Sequence, residues 1–438
     1  MDASGYFKNK RITVMGLGLL GRGVGDARYL ASCGADLIVT DLKSEDALAS
    51  SHKELEHFPN IRFVFGKHQL EDFSRRDMIL KAAGVPNDSP YLVKAREEGT
   101  PVRMSADLFA QYAKVPLVGV TGTRGKSTVT HMIYEILKSA GRKPVLGGNV
   151  RGVSTLALLE SIKGDEIAVL ELDSWQCQGF GEARISPNIA VFTNLMPDHM
   201  NYYHGSMEAY LDDKAQIFLN QKKGDTFIAG AQVAALLEET CGGRMPNGPI
   251  VPEQLPEEWK LTVLGAHNRE NASLARAVAG TLGIPDTLVR ETLESFSALA
   301  GRLEFVREVR GVRIYNDTNS TTPEAARAAL EALDEGTHST ILIMGGADKG
   351  LDMTRLIKDI PKRTKKTILL EGTGTARIRA LIPEAPVFGS LKEAFEEAMR
   401  DTAAGDTVVL SPAFASFGMF KNEYDRGDQF IALAHAYV

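Results

Sequence analysis

Apolar positions along this chain fall in short runs separated by stretches of helical spacing. Arg11-Ile12-Thr13-Val14-Met15 reads as a first strand, a helical pattern continues to about Ser32, and Cys33-Gly34 closes it. Ala35 to Thr40 reads as a second strand ending on Asp41. Ile61 to Phe65 and Met78 to Leu80 follow, then a polar helix near Ser89 to Glu98, and Pro101-Val102 opens another strand. Alternating strands and helices predict a small parallel sheet with a first boundary near Tyr112.

The pattern then repeats. Val115 to Val120 reads as a strand, and Val129, Met132, Ile133, Ile136 and Leu137 mark the buried face of a helix behind it. Ile167 to Leu172 and Ile189 to Asn194 are apolar strands, Tyr210 to Leu219 is amphipathic, and Thr226 to Ile228 is a short strand. Cys241 to Trp259, rich in Gly and Pro, reads as irregular surface before a long Ala-rich helix. A third unit begins near Gly301, with strands Arg302–Val306 and Val312–Tyr315 paired around Arg310-Gly311. Pro323 suits the first position of a helix. Thr340–Met344, Thr367–Leu370, Pro386–Phe388 and Thr407–Leu410 are further strands. The expected fold class is α/β in three domains, 1–112, 113–300 and 301–438.

Composition narrows the function. A net charge of −6 over 438 residues gives no electrostatic footprint for nucleic acid. The basic run Lys362 to Lys366 reads as a solvated helix end. Cys33, Cys177 and Cys241 show no paired spacing, which suggests a reducing compartment. No apolar signal segment or membrane-length run is present, so a soluble, cytoplasmic protein is expected.

Candidate chemistry collects where strands end. Gly122-Thr123-Arg124-Gly125-Lys126-Ser127-Thr128 joins a strand to a helix. Its glycines can turn backbone N–H groups inward, Lys126 can reach outer phosphates, and Ser127 offers a hydroxyl to Mg²⁺. A strict P-loop would place Gly six residues ahead of Lys126, where Val120 stands. Gly16-Leu17-Gly18-Leu19-Leu20-Gly21, with Asp41 some twenty residues on, fits a nucleotide-binding turn. Asp41 could hold the ribose of a dinucleotide or the ribose or uracil of a UDP group, and the glycines could serve packing alone. Glu171, at a strand's C-terminal end, either faces a ligand crevice and Mg²⁺ or faces solvent. His199 follows another strand end. Lys214 reads, by pattern alone, as a solvated helix lysine. Asn268 could simply cap its helix.

These pieces, in order, resemble the Mur ligases of peptidoglycan synthesis over essentially the whole chain. The resemblance rests on Gly122 to Thr128, Leu170-Glu171-Leu172-Asp173-Ser174-Trp175-Gln176, Asp198-His199-Met200, His267 to Asn271, Gly301-Arg302-Leu303-Glu304, Asn316-Asp317-Thr318 and Leu410-Ser411-Pro412-Ala413. It implies a Rossmann-like N-terminal domain binding the UDP substrate, a central P-loop ATPase domain, and a Rossmann-like C-terminal domain binding the amino acid. The implied activity joins a carboxylate to an amine through an acyl phosphate, using ATP. By this resemblance, D-glutamate would be added to UDP-N-acetylmuramoyl-L-alanine.

The resemblance also implies roles. Gly18, Leu19, Leu20, Asp41, Gly84 and Asn149 would meet the UDP substrate. Gly122 to Thr128, Asn268, Asn271, Arg302 and Asp317 would meet ATP. Two Mg²⁺ sites are implied, one on Ser127 and Glu171, the other on His199 and a carbamylated Lys214; the carbamate reverses the reading of Lys214 as a solvated cation. Lys126, Glu171, His199 and Lys214 would be the catalytic set. Thr321, Lys349 and Ser416 would hold the glutamate carboxylates. Small-molecule substrates, no nucleic acid, no membrane and a monomeric state are expected. Three positions depart from the family: Asn319 replaces a common Lys, Glu423 stands where an aromatic is frequent, and Arg124 replaces a common Asn. The first two bear on which glutamate enantiomer is accepted. An L-glutamate-adding ligase and a folylpolyglutamate-synthase-like ligase are the alternatives, with an NAD(P)-binding oxidoreductase or sensor further off.

Overall fold

Strand ends carry the chemistry in this chain, so the order of strands in each sheet decides what can meet. The computed structural model describes residues 3–19, 21–334 and 336–438. The chain packs as two compact units, one formed by residues up to Pro256 with Glu270–Leu293, the other by Glu257–Arg269 with Glu294–Val438.

The first unit holds two sheets. β1 (Arg11–Met15), β2 (Asp36–Asp41), β3 (Ile61–Phe65), β4 (Met78–Lys81) and β5 (Val102–Arg103) form a parallel sheet ordered β3-β2-β1-β4-β5. The chain leaves β1 toward one side and returns to the other at β4, so a switch point lies between their C-terminal ends. The helix Arg22–Ser32 covers this sheet with Val24, Ala27 and Leu30 buried, and Gly34, at φ 80, ends it.

The second sheet comprises β6 (Leu117–Thr121), β7 (Lys143–Gly148), β8 (Glu166–Glu171), β9 (Ile189–Phe192), β10 (Thr226–Ala229) and β11 (Pro249–Ile250), all parallel and ordered β11-β10-β9-β6-β8-β7. β6 is central, buried on both faces, and therefore apolar up to its last residue, Thr121. The helix Lys126–Ser139 buries the expected Val129, Met132, Ile133, Ile136 and Leu137. Each fully buried aliphatic side chain of this kind contributes about 1.5–3 kcal/mol. The helix Ser105–Tyr112 serves both cores, placing Leu108 with the first sheet and Ala106 and Phe109 with the second.

The second unit carries β12 (Glu304–Val309), β13 (Val312–Asn316), β14 (Thr340–Gly345), β15 (Thr364–Leu370), β16 (Val387–Phe388) and β17 (Thr407–Leu410). Their order is β12-β13-β17-β14-β15-β16; only the β12–β13 pair is antiparallel, turning at Arg310 and Gly311, both with positive φ.

Two sequence readings are corrected. Cys241 to Trp259 is more than irregular surface: β11 extends the sheet, and Cys241, Leu255 and Trp259 are buried. The basic run is only partly a helix end. Lys365 and Lys366 belong to β15 and pair with Asp406, Glu397 and Asp401. No helix among the described residues is long and apolar enough to cross a membrane.

Candidate active site

The Gly122–Thr128 loop hangs between three strand ends. Thr123 N donates to the Asn194 carbonyl at 2.9 Å, and Arg124 N donates to Asn194 Oδ1 at 2.8 Å, so the segment after β9 fixes the loop. The Arg124 guanidinium pairs with Asp198 at 3.3 Å. Gly122 (φ 139) and Gly125 (φ 82) occupy left-handed backbone. A Cβ at Gly122 would collide with Thr193 Oγ1, and one at Gly125 with Asn271 Oδ1. Asn271 therefore lies against the loop.

Lys126 Nζ folds back onto the loop carbonyls of Gly122 (3.0 Å) and Thr123 (3.1 Å). Lys214 comes from the helix Met207–Leu219, yet it is 1 % exposed, and its Nζ donates to the same Gly122 carbonyl at 2.8 Å. The pattern-only reading of a solvated lysine is corrected: the helix turns this side chain onto the end of β6. Burial, and then the charge of Lys126, pull the Lys214 ammonium down to about 7.

Glu171 ends β8 in register with Val120, and its residue is 4 % exposed. Among the described residues no protein donor meets its carboxylate, and the solvent-facing reading does not hold. An unpaired buried carboxylate near a phosphate loop suits a hard cation, and the Ser127 hydroxyl is a second oxygen donor of the type Mg²⁺ takes. Among the described residues no group of three or more His, Cys, Asp or Glu gathers as a metal cluster. His199, at φ 55, has its ring 4.7 Å from the Trp175 ring. Lys214 as an ammonium donates to a carbonyl and repels a cation; as a carbamate it would supply an oxygen ligand.

A cavity of about 380 Å³ runs in this unit from the Gly-rich turn after β1 to Lys126 and His199. Gly18, Leu19, Gly84 and Asn149 line it. Leu20 lies outside the described residues. Asp41 does not line it: its oxygens accept the backbone N–H groups of Gly18 (3.0 Å) and Lys43 (2.9 Å), so it shapes the turn. Further lining residues escaped the sequence reading. Asp26, raised to about 6 by burial, accepts from Ser105 at 2.7 Å and Ser154 at 2.6 Å. Arg22 donates to Asn149 Oδ1 at 2.6 Å. Lys81 ends β4, 3 % exposed. Its one visible signal was a cation closing an apolar strand.

In the second unit, Asp317 follows β13 and accepts from Ser320 Oγ, from Ser411 Oγ at 2.7 Å and from Leu303 N at 2.9 Å. Burial raises it to about 6. Arg302 immediately precedes Leu303. Asn268 Nδ2 donates to the Leu264 carbonyl at 2.8 Å rather than capping a helix start. Lys349 Nζ donates to Thr321 Oγ1 at 3.1 Å. Ser416, 4 % exposed, follows Ala415, which bridges to Ala347. Thr321, Lys349 and Ser416 are thus gathered at one end of the sheet. Asn319 Nδ2 donates to the Ala300 carbonyl at 3.1 Å.

Known proteins share this design along the full length. Residues 10–104 match the Mur ligase MurD-like N-terminal domain, 120–240 the Mur ligase middle domain, and 301–414 the Mur ligase glutamate ligase domain. The chain is 36 % identical to a UDP-N-acetylmuramoylalanine–D-glutamate ligase of Roseiflexus sp., covering 98 % of this chain and 99 % of that one. It is 35 % identical to the protein of the same name from Borreliella afzelii, covering 97 % of each. Among solved structures, the UDP-N-acetylmuramate-alanine ligase of Thermotoga maritima shares the fold at a TM-score of 0.65 and 20 % identity, covering 98 % of this chain and 99 % of that one. The Gly-rich loop, the buried acid at the end of β8 and the three-sheet α/β architecture thus belong together: this chain is a member of the Mur ligase family.

Proposed function

We propose that this chain adds D-glutamate to UDP-N-acetylmuramoyl-L-alanine at the expense of ATP, in peptidoglycan synthesis. One observation carries the chemical part of that reading: Lys126 and Lys214 converge on the Gly122 carbonyl, at the strand ends where Glu171 lies buried with no protein donor to its carboxylate among the described residues. The full-length relatives that bear this activity in their names support the substrate.

A carboxylate is a poor electrophile. The γ-phosphoryl group of ATP passes to the substrate carboxylate, giving an acyl phosphate and ADP. The glutamate amine then attacks the acyl carbon, the C–O bond to phosphate breaks, phosphate leaves, and the nitrogen loses a proton. The first step brings anions together, so cations must screen them. Lys126 supplies one, over the loop of Gly122, Thr123, Arg124, Gly125, Ser127 and Thr128. Mg²⁺, when bound, would neutralise phosphate charge, with Ser127 and Glu171 as ligands of one ion and His199 and carbamylated Lys214 of a second. A Lys214 amine pulled down to about 7 is neutral in a substantial share of molecules near neutral pH, the form that adds to CO₂ with loss of a proton. Asn268, Asn271, Arg302 and Asp317 serve ATP. Gly18, Leu19, Gly84 and Asn149 serve the UDP substrate, with Asp41 acting through the turn. Thr321, Lys349 and Ser416 hold glutamate.

We place the domain limits at 1–112, 113–300 and 301–438 and expect a cytoplasmic monomer; the lack of any paired cysteine spacing in the sequence supports a reducing compartment. The decisive assay is phosphate release with UDP-N-acetylmuramoyl-L-alanine, Mg-ATP and each glutamate enantiomer. Turnover with D-glutamate is expected. Turnover with L-glutamate alone would reassign the amino acid, the outcome that Asn319 and Glu423 would then explain.

A further inference from the structure

Lys81 has no place in the roles assigned so far, and its surroundings are unusual for a lysine. It is 3 % exposed, and among the described residues its Nζ donates to one protein acceptor, the Val85 carbonyl, at 3.0 Å. Among the described residues no carboxylate forms an ion pair with it. Leaving an ammonium buried without a counter-ion is costly, and such a group is retained where something supplies the missing negative charge. Lys81 lines the same cavity as Gly16, Gly18 and Lys126.

Its position in the sheet indicates which charge. Lys81 pairs in register with Met15, the residue before the Gly-rich turn, and Ala82 N donates to the Met15 carbonyl at 2.8 Å. A Cβ at Gly16 would press on Ala82 Cβ at 2.9 Å, so the two strand ends are closely packed there. β1 and β4 flank the switch point of a parallel sheet, where the phosphates of a bound nucleotide settle on the first turn. The turn supplies backbone N–H groups but no full charge. Arg22, at the start of the following helix, already donates to Asn149 and feels Asp26. We propose that Lys81 binds the diphosphate of the UDP-linked substrate, as the buried counter-charge opposite the Gly-rich turn. This assignment rests on the UDP reading given above. Burial outweighs the fields of Glu182, Asp173 and Asp213 and pulls Lys81 down to about 8, so a bound dianion would also hold the ammonium in its charged form.

The test uses the full chain and three probes: UDP, uridine and Mg-ATP. Binding is followed by calorimetry and by the fluorescence of Trp175, which lines the cavity, in a Trp259→Phe background. Lys81→Met is expected to weaken UDP at least tenfold while leaving uridine and Mg-ATP within twofold. Lys81→Arg, which keeps the charge, is expected to recover most of the UDP affinity. UDP affinity unchanged in Lys81→Met overturns the proposal, as does equal weakening of UDP and uridine, which would mark Lys81 as a prop for the Ala82–Val85 turn. Should the unaltered protein bind Mg-ATP but not UDP, the UDP reading itself falls and takes this assignment with it.

Discussion

Lys126 and Lys214 donate to one backbone oxygen, the Gly122 carbonyl, at 3.0 and 2.8 Å. Two amines on one acceptor cannot both carry a proton cheaply. Lys126 keeps more contact with solvent, and Lys214 is 1 % exposed, so the cost falls on Lys214.

That cost predicts a pH dependence of stability. The Lys214 ammonium sits at about 7 in the fold and at its ordinary 10.5 in the unfolded chain. Between those values the unfolded state binds the extra proton, so this group's penalty is full below pH 7 and is relieved as pH rises. In CO₂-free buffer, urea unfolding from pH 7 to 9 should show a contribution rising by at most ~1.4 kcal/mol per pH unit. Lys214→Met should remove it. An identical slope in both proteins would show that Lys214 is not the group responsible.

Lys214→Ala should lose activity by roughly 10²–10³-fold, the scale for deleting a preorganised charge at a reacting centre. Bicarbonate or short carboxylates should restore part of it, since a free oxyanion can enter the space of the missing side chain. Full turnover of Lys214→Ala without additive would remove the carbamate from the mechanism.

Glu171→Gln preserves shape and removes a charge that no protein donor meets among the described residues. The Mg²⁺ concentration for half-maximal turnover should rise about 10–100-fold, with folding intact. The measurement is a Mg²⁺ titration of ADP formation at saturating ATP. An unchanged midpoint would free Glu171 from any role as a ligand.

Asp26 gives the opposite sign. Burial raises it from 3.8 to about 6 against its bonds from Ser154 and Ser105. Its favourable contribution is present below 3.8 and is lost as pH rises through 6, so the ionised form weighs on the fold at neutral pH. Asp26→Asn keeps an acceptor for both hydroxyls. It should be at least as stable as the parent at pH 8, by up to ~2 kcal/mol, with a flatter profile from pH 5 to 8. Chemical unfolding at several pH values checks this, and a less stable Asp26→Asn at pH 8 would show that the charge is compensated by Arg22.

Local signals carried much of this molecule. The buried stripe from Val129 to Leu137, the apolar β6 and β8, the positive-φ glycines of the phosphate loop and Pro323 at the first helical position all follow from short-range rules. Periodicity and steric permission act over a few residues, so these features stand in the residue order and the structure repeats them. Gly122 to Thr128 announced its chemistry for the same reason.

The fates of individual polar side chains were settled elsewhere. Lys214 and a surface lysine have the same helical context; only the packing of Met207–Leu219 against the end of β6 buries one of them. Asp41 accepts two backbone N–H groups that the fold, and no local pattern, turns toward it. Lys81 and Gly16 lie far apart in the chain and become neighbours because β4 docks beside β1. Burial, charge proximity and strand order are properties of contacts between distant segments, and no window of sequence contains both partners.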